Sequence, residues 1–117
     1  YRELALGGGP KHPIMGNVIP VTSVKDPEWE RISIGRAEEN EIIVEDPAIS
    51  EVHCYIKRQE DLFVVGDFGS TNGTKVNGHL LRPPESHILE NQDVITLGRC
   101  SLQFFTPEGL FAFLGFD

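Results

Sequence analysis

Short runs of β-branched and aromatic residues recur along most of this chain, and Gly, Asn, Asp or Pro separates each run from the next. Side chains of the first kind fit an extended backbone, whereas residues of the second kind favour tight turns. Runs of this length at close spacing are typical of an all-β sandwich or barrel. They predict strands at residues 31–34, 42–44, 53–57, 62–65, 75–77, 79–80, 94–97 and 101–105.

The two ends of the chain depart from this pattern. Residues 1–13 include Gly7-Gly8-Gly9-Pro10, which favours a flexible linker. Residues 14–24 predict a first strand, which Pro20 would confine to a sheet edge or a bulge. Thr106 can cap a helix and Pro107 suits its first position, so a short helix is predicted in a C-terminal extension at 107–117. We therefore expect one domain, at 14–106.

Composition argues against several classes of function. The chain has 10 Lys and Arg against 18 Asp and Glu, a net charge of −8. It therefore lacks the basic charge that attracts nucleic acid or anionic membranes. No apolar run approaches the roughly 20 residues that span a bilayer. Cys54 and Cys100 lack C-x-x-C spacing, so we expect reduced core cysteines, a cytoplasmic location, and neither a metal nor a cofactor.

Three predicted loops carry groups that suit an anion. Arg36 supplies a planar charged donor fork, and Ser50 and Thr71 supply short hydroxyl donors. Asn72 offers both a donor and an acceptor, which suits a peptide backbone. Positive φ at the two glycines of the third loop would turn its N–H groups toward a bound anion. Those glycines are Gly69 and Gly73.

Two enzyme-like patterns fail on closer reading. Ser50 and His53 could form a hydrolase triad with Asp67 or Asp46, but there is no Gly-x-Ser-x-Gly elbow. A His three positions after its Ser serves more naturally as a local brace. The segment 69–75 does not match a phosphate-binding loop of nucleotide-binding proteins, because only three residues separate its glycines. We therefore expect no catalytic activity.

Taken in order, these segments resemble the forkhead-associated (FHA) domain family. The resemblance implies an eleven-stranded β-sandwich whose loops at one end bind phosphothreonine in an extended peptide. The matching segments are Ile32-Ser33-Ile34-Gly35-Arg36, Asn40-Glu41-Ile42, Ile49-Ser50-Glu51-Val52-His53, Asp67-Phe68-Gly69-Ser70-Thr71-Asn72-Gly73-Thr74, Val76-Asn77-Gly78 and Leu89-Glu90-Asn91-Gln92-Asp93-Val94-Ile95.

The resemblance also implies a role for each candidate residue. Arg36 and Ser50 would contact the phosphate, Thr71 would lie at the same site, and Asn72 would hydrogen-bond the ligand main chain. This chemistry is sensible because a phosphate carries about −1.5 to −2 charges and needs several charged or polar donors. Structural support of the site is expected from Gly35, His53, Gly69 and Gly73.

One residue departs from the family pattern. The position after Ser50 is commonly Arg, Lys or Asn, and here it is Glu51. An acidic side chain beside a phosphate should weaken binding unless it points away or meets a basic residue of the ligand. Residues 38, 39, 41, 45 and 46 are also acidic, and either solvate their loop or favour basic residues flanking the phosphothreonine.

The implied function is a signalling module that recruits proteins phosphorylated by Ser/Thr kinases, in the style of bacterial members of the family. An alternative stays open, in which the same sandwich is a phosphate-independent interaction or autoinhibitory module. The acidic charge favours this alternative, and the complete set of four candidate residues opposes it. The sequence does not indicate an oligomeric state.

Overall fold

The computed structural model describes residues 2–7, 18–21 and 31–115, and in the first two segments it describes the backbone alone. The continuous stretch 31–115 contains nine strands, and the two short segments each add one. One helix follows the last strand. The elements are β1 (Arg2–Gly7), β2 (Val18–Val21), β3 (Arg31–Gly35), β4 (Ile42–Ile43), β5 (Cys54–Gln59), β6 (Leu62–Asp67), β7 (Thr74–Val76), β8 (His79–Leu81), β9 (Ser86–Ile88), β10 (Val94–Leu97), β11 (Cys100–Phe105) and α1 (Pro107–Leu114).

The strands form two sheets. One sheet has the order β2-β1-β11-β10-β7-β8 and the other has the order β4-β3-β5-β6-β9. Pairing is antiparallel within the described residues except between β3 and β4, which run parallel and place Gly35 opposite Ile43. The predicted all-β sandwich with a short C-terminal helix is therefore confirmed.

The core lies between the two sheets. Side chains alternate between the faces of a strand, so every second residue of the central strands points inward. Phe63 of one sheet meets Phe104 of the other with ring centroids 6.0 Å apart. The buried apolar residues are Ile32, Ile34, Ile42, Val44, Ile49, Cys54, Ile56, Phe63, Val65, Val76, Leu81, Leu89, Ile95, Leu97, Cys100, Leu102 and Phe104.

Both cysteines belong to this core. Cys54 and Cys100 are buried and are free thiols. Burial first, and then the neighbouring Asp67 carboxylate, raises the pKa of Cys54 well above its usual range. Both side chains therefore act as small apolar residues, in agreement with the prediction.

The predictions for the chain ends are partly wrong. Residues Arg2–Gly7, predicted as part of a linker, form β1, which pairs with both β11 and β2. The linker was predicted from the run of three glycines at 7–9. Pairing with β11 instead provides hydrogen-bond partners for the backbone N–H and C=O groups of β1. The predicted first strand is described only at Val18–Val21, and its remainder lies outside the described residues. Pro20 does lie in an edge strand, as expected.

The C-terminal helix has the predicted start. The hydroxyl of Thr106 accepts a hydrogen bond from the Gly109 N–H at 3.0 Å, and Pro107 is the first helical residue. Gly115 ends the helix with a φ of 85°. Strand β9 was not predicted, because Ser86–Ile88 contains a single aliphatic residue and follows two prolines. No helix in the described part of the chain is long and apolar enough to span a membrane.

Candidate functional site

Three loops meet at one end of the sandwich, and the end of β3 joins two of them. The Arg36 N–H donates to the Ser50 carbonyl at 3.0 Å, and the Ala37 N–H donates to the Glu51 carbonyl at 3.1 Å. A Cβ at Gly35 would lie 2.2 Å from that same Glu51 oxygen. Only glycine allows the two backbones to approach this closely, so Gly35 fixes the distance between the Arg36 and Ser50 loops.

Asn40 joins the same two loops through hydrogen bonds of its side chain. Its side chain is buried, and its Nδ2 donates to the carbonyls of Ala37 at 2.8 Å and Glu51 at 2.7 Å. Sequence reasoning quoted Asn40 within the family pattern but gave it no role. A buried amide between two loops has no separate signal in a single sequence, because its partners are backbone atoms far along the chain.

His53 is fully buried and connects the second loop to the third. Its Nδ1 accepts a hydrogen bond from the Ser50 N–H at 3.0 Å, and its Nε2 lies 2.8 Å from the Gly73 carbonyl. These contacts require a neutral imidazole with its proton on Nε2. The ring thus braces two backbones, which is the structural role predicted for it, and neither nitrogen contacts the Ser50 hydroxyl.

Asp67 organises the third loop through its carboxylate. The carboxylate accepts hydrogen bonds from the Ser70 N–H, the Ser70 hydroxyl and the Thr74 hydroxyl, the last at 2.7 Å. The Ser70 hydroxyl in turn accepts the Gly73 N–H at 2.9 Å. Burial alone would raise the pKa of Asp67, but the hydrogen bonds from Ser70 and Thr74 outweigh it and lower that pKa. The carboxylate is therefore committed to the loop and does not form a triad with His53.

Two glycines let this loop close. Gly69 and Gly73 have φ values of 74° and 84°, in the left-handed region that glycine adopts at little cost. The loop is further joined to its neighbours by two hydrogen bonds. The Thr71 N–H donates to the Ser50 hydroxyl oxygen at 3.0 Å, and Asn72 Nδ2 donates to the Ala48 carbonyl at 2.8 Å.

An ion pair between a buried aspartate and an exposed arginine holds the loop before Ser50. Asp46 is buried, and the Nε of Arg99 lies 3.0 and 3.1 Å from its two carboxylate oxygens. One of these oxygens also accepts the Ala48 N–H at 2.9 Å. Sequence reasoning treated Asp46 as an acidic loop residue and did not single out Arg99. The two positions are remote in sequence, so only the fold brings them together.

The predicted contact residues thus lie close together and retain unused donors. The Nε of Arg36 donates a hydrogen bond to the Ile49 carbonyl at 3.0 Å. The two terminal amino groups of this side chain have no partner among the described residues. The Ser50 hydroxyl accepts from Thr71 but donates to no atom of the described chain. Arg36, Thr71 and Asn72 are exposed, and Ser50 is half-buried. The surface offers several oriented donors to an anion.

Glu51 lies at the edge of this surface. Its backbone carbonyl is held by Ala37 and Asn40, whereas its side chain is exposed and forms no hydrogen bond or ion pair within the described residues. The carboxylate can therefore turn toward a ligand or away from it. In the described part of the chain no three His, Cys, Asp or Glu side chains are grouped as a metal site would need.

Comparison with known families agrees with this architecture. The model of the FHA domain matches residues 32–98, which is more than half of the chain. The chain belongs to the FHA domain family. The matched span contains all three loops of the site, seven complete strands, β4 to β10, and all of β3 except Arg31.

The similar proteins of known sequence include two bacterial regulators. An oxoglutarate dehydrogenase inhibitor from Corynebacterium jeikeium is 36% identical over 77 residues, 66% of this chain and 51% of that protein. The glycogen accumulation regulator GarA of Mycobacterium tuberculosis is 35% identical over 74 residues, 63% of this chain and 44% of that protein. The chain spans about half the length of these relatives.

Solved FHA domains have the same fold. The FHA domain of a hypothetical protein from Arabidopsis thaliana has a TM-score of 0.73 at 32% identity, covering 89% of this chain and 83% of that chain. The FHA domain of MEK1, solved in complex with a phosphothreonine peptide of HOP1, has a TM-score of 0.67 at 28% identity. That comparison covers 91% of this chain and 96% of the MEK1 domain.

Proposed function

We propose that this FHA domain binds phosphothreonine in an extended segment of a partner protein that a Ser/Thr kinase has phosphorylated. Arg36 and Ser50 bind the phosphate, Thr71 borders it, and Asn72 binds the ligand main chain. The observation that carries this proposal is the set of donors left free on three loops whose other polar groups are tied down. The MEK1 domain, which is similar in fold, was solved with such a ligand.

Pre-organisation is the physical advantage of this arrangement. The loops are joined by Gly35, Asn40 and His53 before any ligand arrives, so binding a phosphate costs little ordering of the protein. The net charge of −8 means that the attraction is local to the site and does not arise from the whole surface. Nothing in this arrangement supplies a nucleophile with an adjacent base, so we propose a binding module and no enzyme.

Glu51 favours a second candidate, a phosphate-independent interaction module that uses the same loops. Its exposed carboxylate follows Ser50 directly and would repel a phosphate if it turned inward. In our proposal the side chain points away or meets a basic residue of the peptide. The two candidates differ in a single quantity, which is the ratio of affinities for phosphorylated and unphosphorylated forms of one peptide.

The test is a calorimetric titration of the chain with matched peptides that carry phosphothreonine, phosphoserine or threonine at one position. We expect phosphothreonine to bind at least tenfold more tightly than threonine, because charge-assisted hydrogen bonds are strong. Phosphoserine should bind about fourfold more weakly, since it lacks one methyl group worth about 0.8 kcal/mol. Arg36→Ala and Ser50→Ala should each remove most of the preference for phosphate.

Control variants separate the site from general effects. Lys57→Ala removes one exposed charge from β5, and Ser86→Ala removes one exposed hydroxyl from β9. Both should keep the wild-type preference and the wild-type melting temperature. Equal affinity for the phosphothreonine and threonine peptides would contradict the proposal and favour the phosphate-independent module. In that case Glu51→Gln should also leave the ratio at one.

A further inference from the structure

Two aromatic rings and an arginine are grouped on the outer face of the five-stranded sheet. The rings of Tyr55 and Phe68 meet edge to face, with centroids 6.4 Å apart and an interplanar angle of 84°. The guanidinium carbon of Arg31 lies 5.6 Å from the Tyr55 centroid and 5.9 Å from the Phe68 centroid. These distances are within the range of cation–π attraction. We call these three residues the Arg31 cluster.

The cluster is held in place by the sheet beneath it. A Cβ at Gly66 would lie 2.4 Å from the Tyr55 hydroxyl oxygen, so the tyrosine side chain occupies the space that a side chain on β6 would fill. Phe68 follows β6 directly, and its N–H donates to the His53 carbonyl at 2.9 Å. His53 also braces the phosphate loops, so the cluster and the site share one support.

The arginine side chain runs toward the binding loops. The Cα of Arg31 lies opposite Lys57, whereas Tyr55 lies opposite Ser33, two residues closer to the loops. At a rise of about 3.3 Å per residue, the guanidinium has moved roughly 7 Å along the sheet toward the loop end. Phe68 lies at the start of the loop that carries Thr71 and Asn72. Through Phe68, the cluster adjoins the loop that carries Thr71 and Asn72.

The guanidinium of Arg31 has no carboxylate partner within the described residues. Its nitrogens form no hydrogen bond or ion pair there, and it lies within cation–π distance of the Tyr55 and Phe68 rings. Glu41, which contacts the neighbouring Ser33, uses its Oε1 oxygen for the Ser33 N–H and hydroxyl at 3.0 and 3.2 Å. A guanidinium that lies over aromatic rings still has N–H donors, and their planar fork fits a carboxylate or a phosphate.

We propose that the Arg31 cluster is a second anion subsite of the phosphopeptide surface, which binds an acidic or phosphorylated residue flanking the phosphothreonine. This inference rests on the proposed function, because the loops must hold the peptide beside the cluster. An extended peptide advances about 3.3 Å per residue, so a residue a few positions from the phosphothreonine can reach Arg31. The subsite would favour an anion on the Phe68 side, whereas Glu51 disfavours one beside Ser50.

The test is a position scan in a phosphothreonine peptide with neutral flanks. Each of the four residues before and after the phosphothreonine is replaced in turn by Asp, Glu, Arg or phosphoserine, and binding to the chain is titrated. At one or two positions Asp or Glu should tighten binding about threefold over the neutral peptide, as expected for an exposed ion pair. Phosphoserine there should tighten it about tenfold, because a phosphate offers more charge and more acceptors.

Variants of the chain assign this effect to Arg31. Arg31→Ala should bring the ratio of acidic to neutral affinity to about one, and Arg31→Lys should restore part of it, since Lys keeps the charge but loses the planar fork. Lys57→Ala is the matched control: it removes the same charge from the same face of the sheet without touching the rings, and it should keep the ratio. Melting temperatures verify that each variant is folded.

The outcomes separate the sources of the anion and the two proposals. A gain with phosphoserine alone identifies a second phosphate as the ligand, and a gain with Asp and Glu as well identifies acidic residues in general. The subsite is overturned if no position responds to an anion, if the response survives Arg31→Ala, or if Lys57→Ala reduces it equally. In each of these cases the neutral phosphothreonine peptide still binds. If that peptide binds no better than its threonine form, the proposed function fails and the subsite fails with it.

Discussion

Two Asn-Gly dipeptides follow each other closely in this chain and have opposite roles. Gly73 and Gly78 have nearly the same backbone angle, with φ values of 84° and 85°. Asn77 spends both ends of its amide on the protein: its Nδ2 donates to Asp93 at 2.9 Å, and its oxygen accepts the Val94 N–H at 2.9 Å. Asn72 uses Nδ2 for Ala48, and its oxygen has no partner among the described residues. The same turn residues thus close a hairpin in one place and leave an amide oxygen without a partner in the described residues in the other.

The aspartates behind the two turns differ in the same way. Asp93 accepts hydrogen bonds from the Glu90 N–H, from Asn77 and from His87, and this cluster satisfies its own polar groups. The carboxylate of Asp67 accepts hydrogen bonds from Ser70 and Thr74 and so orders the third loop, in which Thr71 and Asn72 are exposed. Both clusters are well hydrogen-bonded, and only the Asp67 cluster supports the loop that we propose for binding.

The largest expected effect comes from removing the two carboxylates in turn. Asp67→Ala should lower the free energy of unfolding by about 3 to 4 kcal/mol, because the Thr74 hydroxyl is fully buried and would lose its partner. Asp93→Ala should cost about 2 kcal/mol, since Asn77 is exposed and His87 is half-buried, so water can replace the lost acceptor. Chemical denaturation measures both.

Peptide titration tests whether the two aspartates differ in their effect on binding. Asp67→Ala should weaken phosphothreonine-peptide binding about tenfold because the loop loses its brace, whereas Asp93→Ala should leave the dissociation constant unchanged. If Asp67→Ala does not fold, Asp67→Asn keeps the shape of the side chain and serves as the second variant. Equal effects of the two aspartates on binding would show that the distinction between the two ends is wrong.

A smaller and opposite pair of effects is expected for the two asparagines. Asn77→Ala should destabilise the fold by about 1 to 2 kcal/mol, because it removes two hydrogen bonds and places Ala at a φ of 51°. Binding should not change. Asn72→Ala should weaken peptide binding about tenfold and cost less than about 1 kcal/mol of stability, since its one hydrogen bond is exposed. Both variants need the denaturation and the titration measurement.

The smallest expected effect is a dependence of folding stability on pH, to which Asp67 and Asp93 both contribute. Burial opposes ionisation of Asp67 and Asp93, but hydrogen bonds to each carboxylate prevail and lower the pKa of both. The unfolded chain therefore binds more protons than the folded one near the usual Asp value of about 3.9, so stability is complete above this pH and is lost as the pH falls through the native pKa. Unfolding measured from pH 6 to 3 should show this loss. Asp67→Asn and Asp93→Asn should each flatten the slope, and an unchanged slope in both would contradict the assignment.

Local patterns in the sequence predicted much of the fold. Strand β10 was predicted at its observed bounds, and the start of α1 was predicted from Thr106 as its cap and Pro107 as its first residue. Strand β1 was missed because an isolated stretch before a glycine run has no strong preference of its own. Its structure depends on β11, almost the whole chain away, which no local pattern can reveal.

In the candidate site, too, some residues were recognised from the sequence and others only from the fold. The sequence offered four candidate contact residues from residue type and family resemblance, because donor and acceptor groups can be recognised from a side chain alone: Arg36, Ser50, Thr71 and Asn72. Asn40, the Asp46–Arg99 pair and the Ser70–Asp67 contacts were not assigned roles, because their hydrogen bonds join segments that only the fold brings together. The Arg31 cluster went unnoticed for the same reason, since its three residues lie on three different strands or loop starts.

The sequence alone determined that this chain is an FHA-type sandwich with four anion-binding candidates in three loops. Strand alternation, turn residues and short polar motifs are local, so they can be read from the order of residues. The tertiary structure decided which of their hydrogen-bonding groups stay free. That outcome depends on contacts such as the one between Gly35 and Glu51, whose backbones meet because the sheets pack and the loops close.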